Sequence, residues 1–117
     1  MTPFPRRGQI YYARLDKRRP VLVISPDVRN SGATDALVIP CSTVLSAAPT
    51  HVRLRKGEGG VPAVSVLKCE QITNLHKDHL DLESLGGTLS TARLREVERA
   101  VLRAIGVPIP LDHDLAR

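Results

Sequence analysis

Short apolar stretches separated by turn-forming residues dominate the chain between Gln9 and Glu70. These stretches are rich in β-branched or aromatic residues, and Pro, Gly, Asn and Asp lie between them, which is typical of β-strands. Several short strands close together predict a small barrel, a form that also removes exposed strand edges. The predicted strands are Gln9 to Leu15, Val21 to Ser25, Ala36 to Cys41, His51 to Arg55 and Val64 to Glu70.

The apolar period changes near the end of the chain and becomes helical. Ser90 is suited to cap the start of this helix and Gly106 to end it. A short helical turn is expected earlier, within Leu75 to Leu80. We expect the apolar face of the helix to cover the barrel or a partner subunit. The residues that carry the helical period are Leu94, Val97, Val101, Ala104 and Ile105.

At 117 residues the chain has the usual size of one compact domain. We therefore predict a single mainly β (α+β) domain over residues 1–117, with its core at about 6–107. Prolines at positions 3, 5, 108 and 110 predict extended arms at 1–5 and 108–117.

The positive charge is concentrated in the first half of the chain. Residues 1–56 carry ten Lys or Arg against three Asp or Glu, whereas residues 57–117 carry seven against nine. A basic field attracts polyanions, although it does not by itself distinguish RNA, DNA, a membrane surface or an acidic protein. With only three aromatic residues in the chain, we expect phosphate contacts to outweigh base stacking.

Cys41 and Cys69 are the only cysteines, and no C-x-x-C pair suggests a metal site. Two free, buried thiols in a reducing cytoplasm are the expectation. No apolar run reaches the roughly eighteen residues of a membrane span, and Met1 to Arg7 has charge without an apolar stretch behind it. We therefore expect a cytoplasmic protein with no export signal, no membrane segment and no cofactor.

Three polar clusters are candidates for chemistry. Arg18-Arg19-Pro20 opens onto an apolar run, and arginine matches phosphate oxygens two at a time. Ser42 and Thr43 follow the third predicted strand, while Lys68 and Glu70 are two apart, on one face of the fifth. Each cluster also has a purely structural reading as solvated or turn residues. Together they supply the cation, hydroxyls, carboxylate and lysine that phosphodiester cleavage needs.

In this order, the clusters resemble the MazF/PemK family of toxin endoribonucleases. The resemblance implies an SH3-like antiparallel barrel with a C-terminal helix, which acts as a homodimer. It also implies metal-independent cleavage of single-stranded RNA at short sequence motifs, and inhibition by a small cognate antitoxin. The segments that carry it are RRGQIYYARLD (Arg6 to Asp16), RRPVLVISPDVRN (Arg18 to Asn30), APTHVRL (Ala48 to Leu54), SVLKCEQI (Ser65 to Ile72) and AIGV (Ala104 to Val107).

The resemblance assigns roles to individual residues. Arg19 matches the arginine that acts at the scissile phosphate, and Ser42, or Thr43 after a small slip in alignment, matches the catalytic hydroxyl. Lys68 and Glu70 match an acid and base pair of the PemK branch. Asn30 matches an asparagine retained after the second strand. The expected RNA contacts come from Arg14, Lys17, Arg18, Arg29 and Asn30.

The chain departs from the family in two places. Only Asp16, Lys17 and Arg18 separate Leu15 from Arg19, where relatives usually carry a long mobile loop. The family's Gln-Ile-Arg-Thr is Gln71-Ile72-Thr73-Asn74 in this chain, so one customary arginine is missing. These departures leave two alternatives open: an RNA-binding barrel without activity, and a gyrase-poisoning toxin of the same fold.

The expected reaction is attack of the RNA 2′-hydroxyl on the adjacent phosphorus, which yields 2′,3′-cyclic phosphate and 5′-hydroxyl ends. Glu70 is the expected base, Arg19 stabilises charge, Ser42 or Thr43 binds a phosphate oxygen, and Lys68 protonates the leaving group. We interpret His76 and His79 as part of an exposed turn rather than a metal site, since their spacing is not H-E-x-x-H.

Overall fold

The computed structural model describes residues 3–109 of the chain; the rest of the predicted C-terminal arm, from residue 110, lies outside them. The strands are β1 (Ile10–Arg14), β2 (Arg18–Val23), β3 (Asp35–Ser42), β4 (His51–Leu54), β5 (Ser65–Lys68) and β6 (Thr73–His76). The helices are α1 (Asp27–Asn30) and α2 (Thr91–Ala104). Three 3-10 turns lie at Glu58–Gly60, Cys69–Gln71 and Lys77–His79.

All five predicted strands are present, with boundaries shifted by up to three residues. Two shifts affect the candidate site. β2 already begins at Arg18, so Arg18 and Arg19 lie within the strand and not ahead of it. β5 ends at Lys68, so the prediction that Lys68 and Glu70 share one strand face is wrong. The turn expected between Leu75 and Leu80 is confirmed at Lys77–His79.

The strands form one antiparallel sheet in the order β1-β2-β3-β5-β4, and β6 also pairs with β3. The mainly β fold with a C-terminal helix is therefore confirmed. The strand path is open, because an irregular segment and not another strand lies along the outer edge of β1. Leu80 bridges to Ala13, and the N–H groups of Leu85 and Leu89 donate to the carbonyls of Ile10 and Gly8.

β5 and β6 behave as one interrupted strand along the same edge of β3. Ser42 pairs with Val66 and Val38 pairs with Thr73. An advance of four residues along β3 therefore corresponds to an advance of seven residues from β5 to β6. The three extra residues are accommodated by the Cys69–Gln71 turn, which leaves the ladder like a bulge. Glu70 is thereby turned away from β3.

The larger core lies between one face of the sheet and α2. Ile10, Leu22, Ile39 and Leu67 are fully buried on this face and pack with Val97 of the helix. α2 begins as predicted, since the Ser90 hydroxyl accepts a hydrogen bond from the Arg93 N–H at 3.1 Å. The helix ends at Ala104, shortly before Gly106.

A smaller apolar cluster covers part of the opposite sheet face. Tyr11, Val21, Val23 and Val38 pack there with Leu80. The cluster does not extend to the end of the face where β2, β3 and β5 carry Arg19, Ser42 and Lys68. That end of the face remains accessible to a ligand.

Both cysteines are free and buried, as expected. Burial raises the pKa of the Cys41 and Cys69 thiols to about 12, so the thiolates are scarce at neutral pH. Among residues 3–109, no helix is long and apolar enough to cross a membrane.

Candidate active site

Strand register brings Arg19, Ser42 and Arg53 into one row across the sheet. Val21 pairs with Pro40, and continuing this register by two residues places Arg19 opposite Ser42. Ser42 pairs with Val66, which in turn pairs with Arg53. Since side chains of paired residues point to the same side, the row lies on the sheet face opposite the helix.

Lys68 lies in the next row of the same face. It pairs with His51 of β4, and the β3–β5 register places it beside Pro40. Arg19, Lys68 and Arg53 therefore share one sheet face, which we call the basic face.

The three cations of the basic face have no partner within the described part of the chain. Arg19 and Arg53 are exposed and Lys68 is half-buried, and none makes a hydrogen bond or ion pair to residues 3–109. Neighbouring positive charges without carboxylate partners repel one another and favour a bound anion. The planar arginine fork matches the oxygens of a phosphate or a carboxylate two at a time.

Two hydroxyls lie at the end of β3, next to Arg19 in register. Ser42 is half-buried, and its Oγ accepts a hydrogen bond from the Val44 N–H at 3.1 Å. Thr43 is exposed and follows the strand directly. The structure thus places Ser42 in the row on the basic face, whereas Thr43 lies one residue beyond the strand, where the register does not assign it to that face.

The structure does not bring Glu70 into contact with Arg19. The carboxylate instead accepts hydrogen bonds from Thr50 Oγ1 at 3.0 Å and from His51 Nε2 at 3.1 Å. Desolvation raises the pKa of Glu70, but the hydrogen bonds from His51, from the backbone and from Thr50 together outweigh it, so the pKa is lowered. Glu70 is therefore ionised at neutral pH and is held at the start of β4.

His51 is a site residue that the sequence analysis did not single out. Its side chain is only 12% exposed, and its Nδ1 lies 3.2 Å from both the carbonyl and the hydroxyl of Ser46. Both ring nitrogens are therefore engaged, one by Ser46 and one by Glu70. One feature of the sequence indicated this position: the alternation of polar and apolar residues from His51 to Arg55 predicts that His51 and Arg53 lie on the same strand face.

Depressions flank the row at each end. One, of about 260 Å³, is lined by Arg19, Gln71 and Thr73 together with apolar side chains of β2 and β3. The other, of about 190 Å³, lies between Arg53, His51 and the segment 45–48. A linear polymer lying along the row therefore meets a depression at each end.

Arg14 and Arg18, expected to bind RNA, lie on the other face of the β1–β2 hairpin. Arg14 donates to Asp81 at 2.7 Å and Arg18 donates to the second Asp81 oxygen at 2.8 Å. Arg18 also lies over the Tyr12 ring, 4.1 Å from its centroid. The hydrogen bonds from Arg18 and then Arg14 lower the pKa of Asp81. These two cations share one carboxylate on the hairpin face opposite Arg19.

The other three residues expected to contact RNA lie in three different environments. Lys17 is exposed in the short β1–β2 turn. Arg29 pairs with Asp35 at 2.5 Å and also donates to its carbonyl at 3.0 Å. Asn30 is fully buried, where it donates to the Ser25 carbonyl at 2.8 Å and accepts from the Ser25 hydroxyl at 2.6 Å. Asn30 has no side-chain surface for a ligand, and it ties α1 to the end of β2.

No group of three or more His, Cys, Asp or Glu side chains that could hold a metal ion occurs within residues 3–109. His76 instead accepts a hydrogen bond from the Asp78 N–H at 3.1 Å and caps the Lys77–His79 turn. His79 Nδ1 lies 3.2 Å from the Arg14 carbonyl.

Comparison with known proteins agrees with this geometry. A family model described as the PemK-like, MazF-like toxin of type II toxin–antitoxin systems matches residues 6–105. A Mycobacterium bovis protein named endoribonuclease MazF2 is 34% identical over 110 residues, covering 85% of this chain and 95% of that protein. The Mycobacterium tuberculosis protein named probable endoribonuclease MazF5 is 27% identical over 119 residues, covering 100% of both chains.

Solved structures show the same fold. One described as an endoribonuclease in complex with its cognate antitoxin, from a mycobacterial species, superposes with a TM-score of 0.79 at 28% identity. That superposition covers 91% of this chain and 99% of the other. Because the family model spans nearly all of the described residues and relatives match along the whole fold, this chain belongs to the PemK-like, MazF-like toxin family of type II toxin–antitoxin systems.

Proposed function

We propose that this chain is a toxin endoribonuclease that cleaves single-stranded RNA on the basic face. The observation that carries the proposal is the set of three unpartnered cations, Arg19, Lys68 and Arg53, beside the hydroxyls of Ser42 and Thr43. Membership of the toxin family and the names of the mycobacterial relatives support endoribonuclease activity. They favour it over a binding-only barrel or a gyrase poison.

The reaction proposed is attack of the RNA 2′-hydroxyl on the adjacent phosphorus. The O2′–P bond forms, the P–O5′ bond breaks, and the products carry a 2′,3′-cyclic phosphate and a 5′-hydroxyl. The substrate supplies the nucleophile, so the protein must remove its proton, stabilise charge on the non-bridging oxygens and protonate the leaving oxygen. The chemistry needs no cofactor, and DNA, which lacks the 2′-hydroxyl, is not cut.

Arg19 stabilises the phosphate charge in this scheme. It stands exposed on a strand, and no carboxylate of residues 3–109 competes for its guanidinium. Ser42, opposite it in register, or the neighbouring Thr43 donates a hydrogen bond to a phosphate oxygen. Lys68, one row away, protonates the 5′-oxygen as it leaves, and Arg53 and Lys17 hold phosphates further along the strand.

Proton removal falls to the pair formed by Glu70 and His51. Glu70 alone is a weaker base than an ordinary glutamate, because its pKa is lowered. The His51 imidazole lies 3.1 Å from the carboxylate, so a proton taken up by the pair is shared between them. Ser46 fixes the far side of the ring, so the imidazole is held against the carboxylate, and a Glu70 oxygen is the atom that takes the proton from the 2′-hydroxyl.

The proposal includes the partners of this class of toxin. A cognate antitoxin neutralises the protein, as the described complex of a mycobacterial relative suggests. The chain acts as a homodimer in the cytoplasm, where its mRNA substrate is found. A reducing compartment also suits its two free thiols.

The test is incubation of the purified protein with mixed-sequence RNA in EDTA, followed by mapping of the new ends. Cuts that carry 5′-hydroxyl ends support the nuclease. Arg19→Ala should lower the cleavage rate by on the order of 10²-fold or more, because it removes the group that stabilises the transition-state charge. Arg18→Ala is the matched control, since it removes the same charge from the neighbouring residue on the opposite hairpin face.

Other outcomes identify the alternatives. RNA that stays intact but binds to the protein indicates an RNA-binding barrel. RNA that neither binds nor is cut, together with inhibition of gyrase supercoiling, indicates the gyrase poison. Equal rates for the parent and for Arg19→Ala would overturn the role given to Arg19.

A further inference from the structure

The depression beside Arg19 has an apolar floor and a polar rim. Val21 and Val38, which are 4% and 1% exposed, form its floor with Pro40, whereas Arg19 and Gln71 are exposed at its edge. The depression adjoins the cation proposed to hold the scissile phosphate. A group attached to that phosphate through its sugar is therefore within reach of the floor.

Two polar side chains at the rim are available to a ligand. Gln71 and Thr73 are exposed and make no side-chain hydrogen bond to residues 3–109. Other amides of the chain are engaged: Asn74 donates to Asp35 at 2.7 Å, and Asn30 is buried against Ser25. The free Gln71 amide offers a donor and an acceptor side by side, the pattern that reads the edge of a base.

We propose that this depression binds one base of the RNA, next to the phosphate held by Arg19, and that Gln71 selects which base it accepts. The inference rests on the proposed function. A base fits better than a second phosphate, because the lining is mostly apolar and includes the Asp16 carboxylate, which repels phosphate. The flat faces of a base contact the floor, and its edge meets Gln71 and Thr73.

The two tyrosines of the chain do not provide an alternative platform at this end of the face. Tyr11 is buried in the smaller cluster, and the Tyr12 ring is covered by Arg18 on the opposite side of the hairpin. Aliphatic contact and hydrogen bonding at the base edge therefore replace stacking. The β1–β2 turn spans only residues 15–17, so selection falls to strand and turn side chains and not to a long loop.

The test measures base preference around the cut. A randomised single-stranded RNA pool is cleaved by the parent protein, Gln71→Ala, Thr73→Val and the control Asn74→Ala, and the cut sites are sequenced. Asn74 lies on the same strand with its amide bound to Asp35, so its replacement should leave the preference unchanged. Gln71→Ala should weaken the preference at one position beside the cut by roughly ten-fold, while preferences elsewhere persist. Thr73→Val should weaken it less.

A binding experiment tests this inference independently of cleavage, and therefore independently of the proposed function. Oligonucleotides with 2′-deoxyribose at the cut, identical except for the flanking base, are titrated against the same variants. If the parent binds them with a base preference that Gln71→Ala removes, the depression is a base site even where no cleavage is seen. If the preference survives in Gln71→Ala, or the parent shows none in either arm, the inference is overturned even if cleavage itself is robust.

A second copy of the chain is the rival occupant of the depression. Thr73→Trp fills the space, and we expect it to weaken binding of the deoxy-substituted oligonucleotide without changing the molar mass measured by light scattering. A fall in molar mass on this substitution would mean that another subunit covers the depression, and the inference would be wrong.

Discussion

Arg18 and Arg19 show how one residue of strand register separates an arginine paired within the chain from the arginine proposed to act on RNA. Arg18 pairs with Asp81, which it shares with Arg14, and lies over the Tyr12 ring. Arg19 points to the opposite face, and no acidic group of residues 3–109 pairs with it. Since adjacent strand residues alternate in direction, a slip of one residue would exchange the two roles. Chemistry at this site therefore depends on the β1–β2 register.

The pairing of Glu70 with His51 leads to a prediction at the residue scale. Glu70→Gln keeps the size of the side chain but removes the negative charge opposite the imidazole. We expect the rate of RNA cleavage to fall by about 10²-fold or more, the usual contribution of a general base. The acidic limb of the pH–rate profile should also change. Single-turnover cleavage measured between pH 4 and 9 checks both effects.

Glu83→Gln is the matched control for this change, because Glu83 is an exposed carboxylate with no hydrogen bond or ion pair to residues 3–109. Its rate should equal that of the parent. A Glu70→Gln protein that cleaves RNA at the parental rate, with the parental pH profile, would remove Glu70 from the mechanism.

The sequence predicted the types of side chain at the site better than their contacts. Arg19 was identified because local rules connect an Arg-Pro pair with a strand and an anion. Glu70 was assigned to a strand because nothing local signals that three residues leave the ladder between Lys68 and Ile72. The contact between Glu70 and His51 joins residues 19 apart, and only the pairing of β4 with β5 creates it.

At the element scale, the turn at Glu58–Gly60 connects the sheet to α2. Glu58 accepts hydrogen bonds from Arg93 Nη2 at 2.7 Å and Nε at 3.0 Å, and from the Arg55 N–H at 2.9 Å. The backbone of Gly60 lies directly against that of Gly86. The glycine-rich stretch Lys56 to Gly60 is therefore held on both sides, by Arg93 of α2 and by the backbone at Gly86.

Two glycines of this turn give a matched pair of substitutions. Gly57 and Gly60 have φ of +93° and +87°, so alanine costs about 1–2 kcal/mol of backbone strain at either position. A Cβ at Gly57 meets nothing within 4 Å, whereas a Cβ at Gly60 overlaps the Leu85 carbonyl. We therefore expect Gly60→Ala to lower the free energy of unfolding clearly more than Gly57→Ala. Urea denaturation checks the order, and equal losses would contradict it.

The elements that local pattern defines were predicted well. α2 combines a serine cap, a helical apolar period and a terminating glycine, all within one segment. β6 was missed because Thr73, Asn74 and His76 surround a single apolar residue, Leu75, and only pairing with β3 makes this segment a strand. α1 is four residues long and depends on the Ser25–Asn30 contacts, which no periodicity reveals.

At the scale of the whole molecule, several acidic groups serve the fold by pairing with arginine. Asp35, Glu58 and Asp81 each pair with arginine. Hydrogen bonds from Arg93 lower the pKa of Glu58 to about 2, and hydrogen bonds from Asn74 and Arg29 lower that of Asp35. Three basic side chains without such a partner within residues 3–109, Arg19, Arg53 and Lys68, lie on the face where RNA is proposed to bind.

These lowered pKa values predict how stability depends on pH. The unfolded chain binds protons at Glu58 below about pH 4.5, whereas the folded chain resists protonation down to about pH 2. The stabilisation is therefore complete above pH 4.5 and is lost as the pH falls toward 2. Unfolding free energies measured across this range should fall steeply in the parent and less steeply in Glu58→Gln. Parallel curves for the two proteins would contradict the assignment.

The buried thiols make the chain convenient for spectroscopy. Cys41 and Cys69 are 6% and 0% exposed, and burial raises their pKa to about 12, so maleimides at neutral pH react with neither at an appreciable rate. A cysteine introduced at exposed Lys56, which is not among the cations of the basic face, would accept a fluorophore alone. Both native cysteines could stay in place, and antitoxin docking could be followed by energy transfer in the otherwise unaltered protein.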